Sequence, residues 1–155
     1  MRILLALSLA ALAACSSNDT KEEVDLGPNA LAGFDEEISL NTEWRQQVGK
    51  GQGNAYARLQ PAIQDNVVYA ADAHGLVTAI ELDSGDQLWD NQFDVEITAA
   101  VALGPKLGYV ASANGELIAF DLKTGNETWR SNVQSEILSL PVQKDGQVAA
   151  QTIDG

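Results

Sequence analysis

The chain has 155 residues, of which 22 are acidic and 9 are basic, and its formal net charge at pH 7 is −13. A chain this acidic is repelled by phosphate backbones and anionic lipid head groups, so its composition disfavours nucleic-acid binding and electrostatic docking on membranes. The single cysteine excludes a disulfide within the chain, which leaves packing to stabilise the fold.

The N-terminus has the pattern of an export signal. Arg2 is followed by ILLALSLAALAA, an apolar run of twelve residues, which is too short for a permanent transmembrane helix but typical of a secretory signal. The run ends in LAAC, which resembles the lipobox of bacterial lipoproteins. The resemblance implies that residues 1–14 are removed as a signal peptide and that Cys15 receives S-diacylglycerol and N-acyl groups. Ser16 then implies sorting to the outer membrane, whereas a buried thiol at Cys15 is the alternative.

Residues 15–43 are predicted to form an acidic, flexible tether that begins at the lipidated cysteine. Eight acidic residues lie between Ser16 and Trp44, with Gly27-Pro28 and few large apolar residues among them. Such a composition cannot bury enough apolar surface to fold and favours an extended linker. A charge run of this kind is usually solvated surface, and binding of a partner is the alternative.

From Trp44 onward the sequence repeats with a period of forty residues. The segment AIELDSGDQLW, residues 79–89, returns as AFDLKTGNETW, residues 119–129. Seventeen positions separate Trp44 from Pro61 but only twelve separate Trp129 from Pro141, so the first junction carries a five-residue insertion, where GKGQGN lies. A fixed period of this length indicates an array of similar structural units.

Each repeat contains four short strand candidates joined by Asn-, Asp- and Gly-containing turns, which suit tight hairpins. The inner candidates, VVYAAD and LVTAIEL, are apolar on successive residues, which indicates that both faces of the sheet are covered. We therefore predict an all-β fold, a β-propeller with four-stranded blades, and keep a β-sandwich as the alternative. In the first repeat the predicted strands span residues 56–63, 67–72, 76–82 and 86–93.

The recurring Gly and Trp are predicted to dock neighbouring blades on one another. Gly85 and Gly125 permit the hairpin, and Trp89 and Trp129, four residues later, place a large flat side chain in the next strand. The pattern resembles the tryptophan-docking motif of quinoprotein-type propellers, Ala-x-Asp-x-x-Thr-Gly-x-x-x-Trp. The second repeat matches it in full, and the first departs from it conservatively at Glu81 and Ser84.

The lipobox, the acidic tether, the GxGN element and the DNVVYAAD core together resemble the BamB family, the lipoprotein subunits of the outer-membrane β-barrel assembly (BAM) machinery. The resemblance implies an eight-bladed ring at the periplasmic face of the outer membrane, of which residues 44–155 supply about two and a half N-terminal blades. It implies a non-enzymatic role, binding of BamA through its periplasmic polypeptide-transport-associated domains, and help in folding and inserting outer-membrane proteins. Unfolded outer-membrane proteins are a further possible partner.

The resemblance transfers no BamA-contacting residue, because in the family these lie on loops of later blades, beyond Gly155. The third repeat stops midway, at TIDG, so we expect the sequence to be part of a longer protein.

Two other functional classes share the repeat and stay open: a quinone (PQQ)-dependent dehydrogenase, and a lipoprotein propeller that binds envelope glycan or another periplasmic partner. We predict no catalytic, cofactor or metal site. His74 lies in a turn without a second histidine, and GKGQGN lacks the Gly-Lys-Ser/Thr ending of a phosphate loop, which favours a flexible inter-blade loop. The recurring turn aspartates, Asp72 among them, are explained by local hydrogen bonding.

Overall fold

The computed structural model describes residues 37–53 and 57–155. The predicted signal peptide, Cys15 and nearly all of the predicted tether lie outside these ranges. The chain divides into one unit that ends at Leu40 and a second, Asn41–Gly155, which contains every strand. Within the described ranges, no helix has the length and apolar character needed to cross a membrane.

The second unit is built from three antiparallel sheets. Two of them have four strands in the simple orders β1-β2-β3-β4 and β5-β6-β7-β8, and the third pairs β9 with β10. This arrangement confirms the prediction of an all-β propeller with four-stranded blades. The first sheet comprises Ala62–Gln64 (β1), Val67–Ala71 (β2), Leu76–Glu81 (β3) and Gln87–Gln92 (β4); the second comprises Ala102–Leu103 (β5), Leu107–Ala111 (β6), Glu116–Asp121 (β7) and Glu127–Asn132 (β8); the third comprises Val142–Lys144 (β9) and Gln147–Ala149 (β10).

The period of forty residues is reproduced in the backbone hydrogen bonding. A register shift between β3 and β4 at Ala79/Ile80 returns between β7 and β8 at Ala119/Phe120. A shift of this kind bends a strand pair and increases its twist. The two four-stranded sheets are therefore the same structural unit built twice, down to their irregularities.

The first strand of the first sheet is shorter than predicted. The predicted strand covers residues 56–63, whereas β1 begins at Ala62. Pro61 directly precedes β1 and has no amide hydrogen to give to a neighbouring strand, which limits pairing at this point. Arg58, farther upstream, makes only an isolated parallel bridge with Ala99.

The hairpin turns have the backbone geometry that their residues favour. Asp65 and Asn66, between β1 and β2, have φ values of 50° and 65°, as a two-residue type I′ turn requires. Gly75, between β2 and β3, has a φ of 96°, and a Cβ at this position would collide with the backbone oxygens of Phe93 and Val95. This turn therefore requires glycine for both its conformation and its space.

The main core lies where the first and second sheets face each other. The third strands, β3 and β7, are buried at their four central positions, which confirms that both faces of these strands are covered. Phe120 has 0% exposure, and its ring centroid lies 5.8 Å from that of Trp89 and 6.0 Å from that of Phe93. The core thus joins aromatic side chains of both sheets.

We expect Phe120→Ala to lower the free energy of unfolding by about 3–5 kcal/mol, because it removes a fully buried ring and leaves a cavity between the sheets. Val133→Ala is the control, since Val133 is 43% exposed and its truncation should change stability by less than about 1 kcal/mol. Urea unfolding followed by circular dichroism measures both. Equal losses in the two variants would contradict the placement of the core.

Candidate functional site

Trp89 of the first sheet lies against the β7–β8 hairpin of the second. Its ring occupies the space that a side chain on Gly125 would need, and its indole Nε1 donates a hydrogen bond to the carbonyl oxygen of Leu122 at 3.1 Å. Tyr69 of the first sheet is a further neighbour, with its ring centroid 6.1 Å from that of Trp89. Trp89 therefore contacts its own sheet and the following one at the same time.

Trp44 makes the same contacts one repeat earlier. Its ring lies 2.7 Å from the ideal Cβ position of Gly85, and its Nε1 donates to the carbonyl oxygen of Leu82 at 2.7 Å. The partner of Gly85 is thus Trp44, which the predicted set of docking residues did not include. The signal was present, because Trp44 precedes Trp89 at the repeat interval once the five-residue insertion is subtracted.

Gly85 and Gly125 serve the turn and the contact together. Their φ values are 78° and 74°, in the region where glycine is strongly favoured, and each amide donates within its own hairpin, to Glu81 and Asp121 respectively. Because neither residue has a side chain, the indole ring of the preceding repeat can lie directly on the hairpin backbone.

Trp129 has fewer partners than Trp89. Its ring is half-buried, with a centroid 6.0 Å from that of Tyr109 in the same sheet. The described part of the third repeat ends at Gly155 and does not include a hairpin equivalent to the one that covers Trp89. The structure therefore brings Trp89 and Gly125 together, whereas the glycine that would correspond for Trp129 is not among residues 37–53 and 57–155.

Asp72 fastens the GKGQGN insertion to the first sheet. This carboxylate is 2% exposed; Oδ1 accepts hydrogen bonds from the amides of His74 and Leu76, and Oδ2 accepts one from the amide of Lys50 at 2.9 Å. The carbonyl oxygen of Gly51 accepts a further hydrogen bond from the amide of Ala73. The described part of the insertion, up to Gly53, is therefore anchored at two points rather than free, contrary to the flexible loop that was predicted.

The backbone of this insertion alternates in handedness. Gly49, Gly51 and Gly53 have φ values of 49°, 74° and 57°, and alternation of this kind turns successive amides toward one concave side, which favours anions. The Lys50 amide donates its hydrogen bond to the carboxylate of Asp72, so the anion bound here belongs to the chain itself. The glycines of GKGQGN thus serve an internal contact, which is a different use from that of a phosphate loop.

The pKa of Asp72 is held below its ordinary value. Burial alone would raise the pKa, but the amides of Lys50, Leu76 and His74, together with the nearby imidazole, outweigh that effect by stabilising the carboxylate. His74 itself is half exposed, with Nδ1 3.7 Å from Asp72 Oδ2. Across residues 37–53 and 57–155, no group of three His, Cys, Asp or Glu side chains is placed to hold a metal ion.

A groove of about 520 Å³ lies along the boundary between the first and second sheets, next to Trp89, and is called the junction groove below. Lys106 and Lys123 line it with Gln64, Asp65 and Asp121. Neither lysine was singled out in the sequence. Its apolar wall consists of Val67, Tyr69, Leu88, Trp89, Pro105 and Leu122.

A family model described as outer membrane protein assembly factor BamB matches residues 23–100 and, again, residues 73–155. Outer membrane protein assembly factor BamB of Pseudomonas aeruginosa is 43% identical over 101 residues, which cover 65% of this chain and 26% of that protein. Its Escherichia coli K12 counterpart is 41% identical over 83 residues, 54% of this chain and 21% of that one. The chain therefore matches only about a quarter of the length of these relatives.

Solved structures resemble the fold. BamB from Moraxella catarrhalis matches with a TM-score of 0.56 at 24% identity, covering 63% of this chain and 30% of that one. The quinohemoprotein alcohol dehydrogenase of Comamonas testosteroni matches with a TM-score of 0.53 at 24% identity, covering 61% and 17%. At this identity the two likenesses concern the propeller fold alone.

We expect Trp89→Ala to lower the free energy of unfolding by about 3–5 kcal/mol, because the ring packs between two sheets and its indole hydrogen bond is lost. Leu88→Ala is the control, since Leu88 precedes Trp89 on the same strand but is 52% exposed, and its truncation should change stability by less than about 1 kcal/mol. Urea titration measures both variants. Equal losses of unfolding free energy would contradict the docking role of Trp89.

We expect Asp72→Asn to destabilise the protein by about 1–3 kcal/mol at neutral pH, because an amide cannot accept at both of its polar atoms. Since the pKa of Asp72 is lowered in the folded chain, its contribution is complete above the ordinary pKa of about 3.9 and is lost as the pH falls below it. Asp83→Asn, at an exposed turn, is the control. The difference in unfolding free energy between wild type and Asp72→Asn should be smaller at about pH 3 than at about pH 7. Equal differences at the two pH values would contradict the role of the charge.

Proposed function

Because the chain belongs to the family of the outer membrane protein assembly factor BamB, we propose that it is a non-enzymatic lipoprotein subunit of the BAM complex. In this proposal it binds BamA through the periplasmic polypeptide-transport-associated domains and assists the folding and insertion of outer-membrane β-barrel proteins. Acylated Cys15 anchors it at the periplasmic face of the outer membrane. The observation that carries the proposal is the family match, which spans residues 23–155 in two overlapping segments.

The architecture supports a role in binding. Two sheets of the same design are joined by buried aromatic side chains, so their hairpins form a rigid set of loops on which a partner can dock. The buried carboxylate of Asp72 is occupied by three backbone amides, and the carboxylate of Asp121 by its own turn. These acids serve the fold and are not held ready for proton transfer.

The chemistry of the lipid anchor supports the proposed location. Three acyl chains on Cys15 would hold far more firmly than one, since each buried methylene group contributes about 0.8 kcal/mol. The net charge of −13 makes electrostatic attraction to anionic lipids an unsuitable substitute. The anchor is therefore proposed to be the protein's own means of membrane attachment.

A quinone-dependent dehydrogenase is the competing proposal, because the quinohemoprotein alcohol dehydrogenase has a similar fold. The relatives matched at 41% identity or more are named as assembly factors. This observation favours the binding role.

The proposal is tested by capturing the tagged protein from detergent-solubilised outer membranes of the bacterium that makes it. BamA and other BAM subunits are expected in the eluate by mass spectrometry, and radiolabelled palmitate should enter the protein. Cys15→Ser is the matched control, because it removes the acylated thiol but no residue of the compact unit; it should appear in the soluble periplasmic fraction without label. An anchored, folded protein whose eluate contains no BamA would contradict the proposed role.

A further inference from the structure

The junction groove departs from the repeat on which the rest of the fold is built. At a spacing of forty residues, Lys106 corresponds to Asn66 and Gly146, and Lys123 corresponds to Asp83. Two residues that are neutral or acidic elsewhere are thus basic here, on a chain whose net charge is −13. Repetition of the fold does not require these lysines, because the equivalent β1–β2 and β3–β4 turns of the first sheet form without them.

Neighbouring positions of the groove carry apolar residues where other repeats have polar or acidic ones. Pro105 stands where the other repeats have Asp65 and Asp145, and Leu88 stands where the second sheet has Thr128. Leu88 is 52% exposed in the groove wall. The junction groove has therefore exchanged polar and acidic residues of the repeat for apolar and basic ones.

The polar atoms of the aromatic wall are already used within the fold. The Tyr69 hydroxyl and the Trp89 indole both donate to the carbonyl oxygen of Leu122, at 3.3 Å and 3.1 Å. The side-chain amide of Gln64 donates to the carbonyl oxygen of Gly104 at 3.2 Å. An occupant of the groove would meet apolar ring faces and two ammonium groups, with the carboxylates of Asp65 and Asp121 close by.

The lining also contains two carboxylates, those of Asp65 and Asp121, so the formal charges of the groove balance. Asp121 Oδ1 accepts three hydrogen bonds: from the Lys123 amide at 2.9 Å, the Thr124 amide at 3.0 Å and the Thr124 hydroxyl at 3.1 Å. This oxygen is therefore held by its own turn. Asp65 is the other acid in the lining. Within the part of the chain that the structure describes, no salt bridge involves Lys106 or Lys123.

We propose that the junction groove binds an extended polypeptide segment in which an aromatic or large aliphatic side chain stands next to a carboxylate. The apolar side chain would lie on the wall formed by Trp89 and Leu88, and the carboxylate would pair with Lys106 and Lys123. The volume of about 520 Å³ is in the range of sites that bury a few side chains. The choice of a polypeptide rests on the proposed function, whereas the preference for an apolar anion rests on the groove alone.

The test titrates the full chain with the blocked peptide acetyl-Gly-Ser-Phe-Asp-Ser-Gly-amide by calorimetry. Lys106→Asn and Lys123→Asp introduce the residues that the first repeat carries at the same places, so the fold should tolerate them; unchanged melting temperatures verify this. Each is expected to weaken binding about tenfold through loss of a charge-assisted contact. Lys144→Gln is the control for total charge, because Lys144 lies on β9 outside the groove, and its affinity should stay within about twofold of wild type.

Two altered peptides separate the apolar and the anionic requirements. Replacement of the Asp by Asn, or of the Phe by Ala, should weaken binding by about tenfold each, and added salt should weaken only the Asp peptide. The inference is overturned if the Phe-Asp peptide does not bind, if the lysine variants bind it as wild type does, or if the Asn peptide binds equally well. It is also overturned if 3-phenylpropionate binds as tightly as the peptide, since the groove would then be a small-molecule site.

The outcome is separable from that of the proposed function. If the protein captures BamA but does not bind the peptide, only the proposal about the junction groove is overturned. Peptide binding by an anchored protein that retains no BamA would leave the groove intact and remove the role in the BAM complex.

Discussion

The contact between a tryptophan of one sheet and a glycine hairpin of the next is the interaction on which the structure depends. An antiparallel sheet of four strands has two faces to cover, and a neighbouring sheet covers one of them only if something fixes their spacing. The indole ring fixes it by lying on a hairpin backbone, while its Nε1 donates to a leucine carbonyl oxygen of that hairpin. The contact occurs at both Gly85 and Gly125, so the same interaction is used at two successive positions of the repeat.

The same regularity makes its exceptions informative. Function on a common scaffold resides in the residues that differ between copies, since the shared residues are already explained by the fold. Two exceptions to the repeat are the glycine-rich insertion held by Asp72 of the first sheet and the groove lysines on hairpins of the second sheet. The first is satisfied internally, because the carboxylate that accepts the Lys50 amide belongs to the chain. The second presents two ammonium groups beside exposed apolar surface.

The chain resembles both an assembly factor and a dehydrogenase because the likeness concerns the fold and not the chemistry. One fold can carry unrelated functions, and here a similar fold occurs in a quinohemoprotein alcohol dehydrogenase and in a BamB protein. Membership in the BamB family rests on the match to the sequence and not on the shape of the sheets. In the described part of the chain, the buried and turn-bound acids stabilise loops, which accords with a scaffold whose surface does the binding.

The sequence by itself determined the repeat, the order of strands and hairpins, and the residues that recur as Gly and Trp, because these depend on local conformation and on a period visible in one dimension. It placed the first strand too early, since the absence of an amide hydrogen at Pro61 takes effect only when a neighbouring strand is present. Only the tertiary structure decided that Trp44 covers Gly85 and that Trp89 covers Gly125, because a period defines equivalent residues but not the direction in which sheets stack. It likewise brought Lys106 and Lys123 together, since the β6–β7 hairpin pairs Leu107 with Asp121 and folds residues distant in sequence onto one groove.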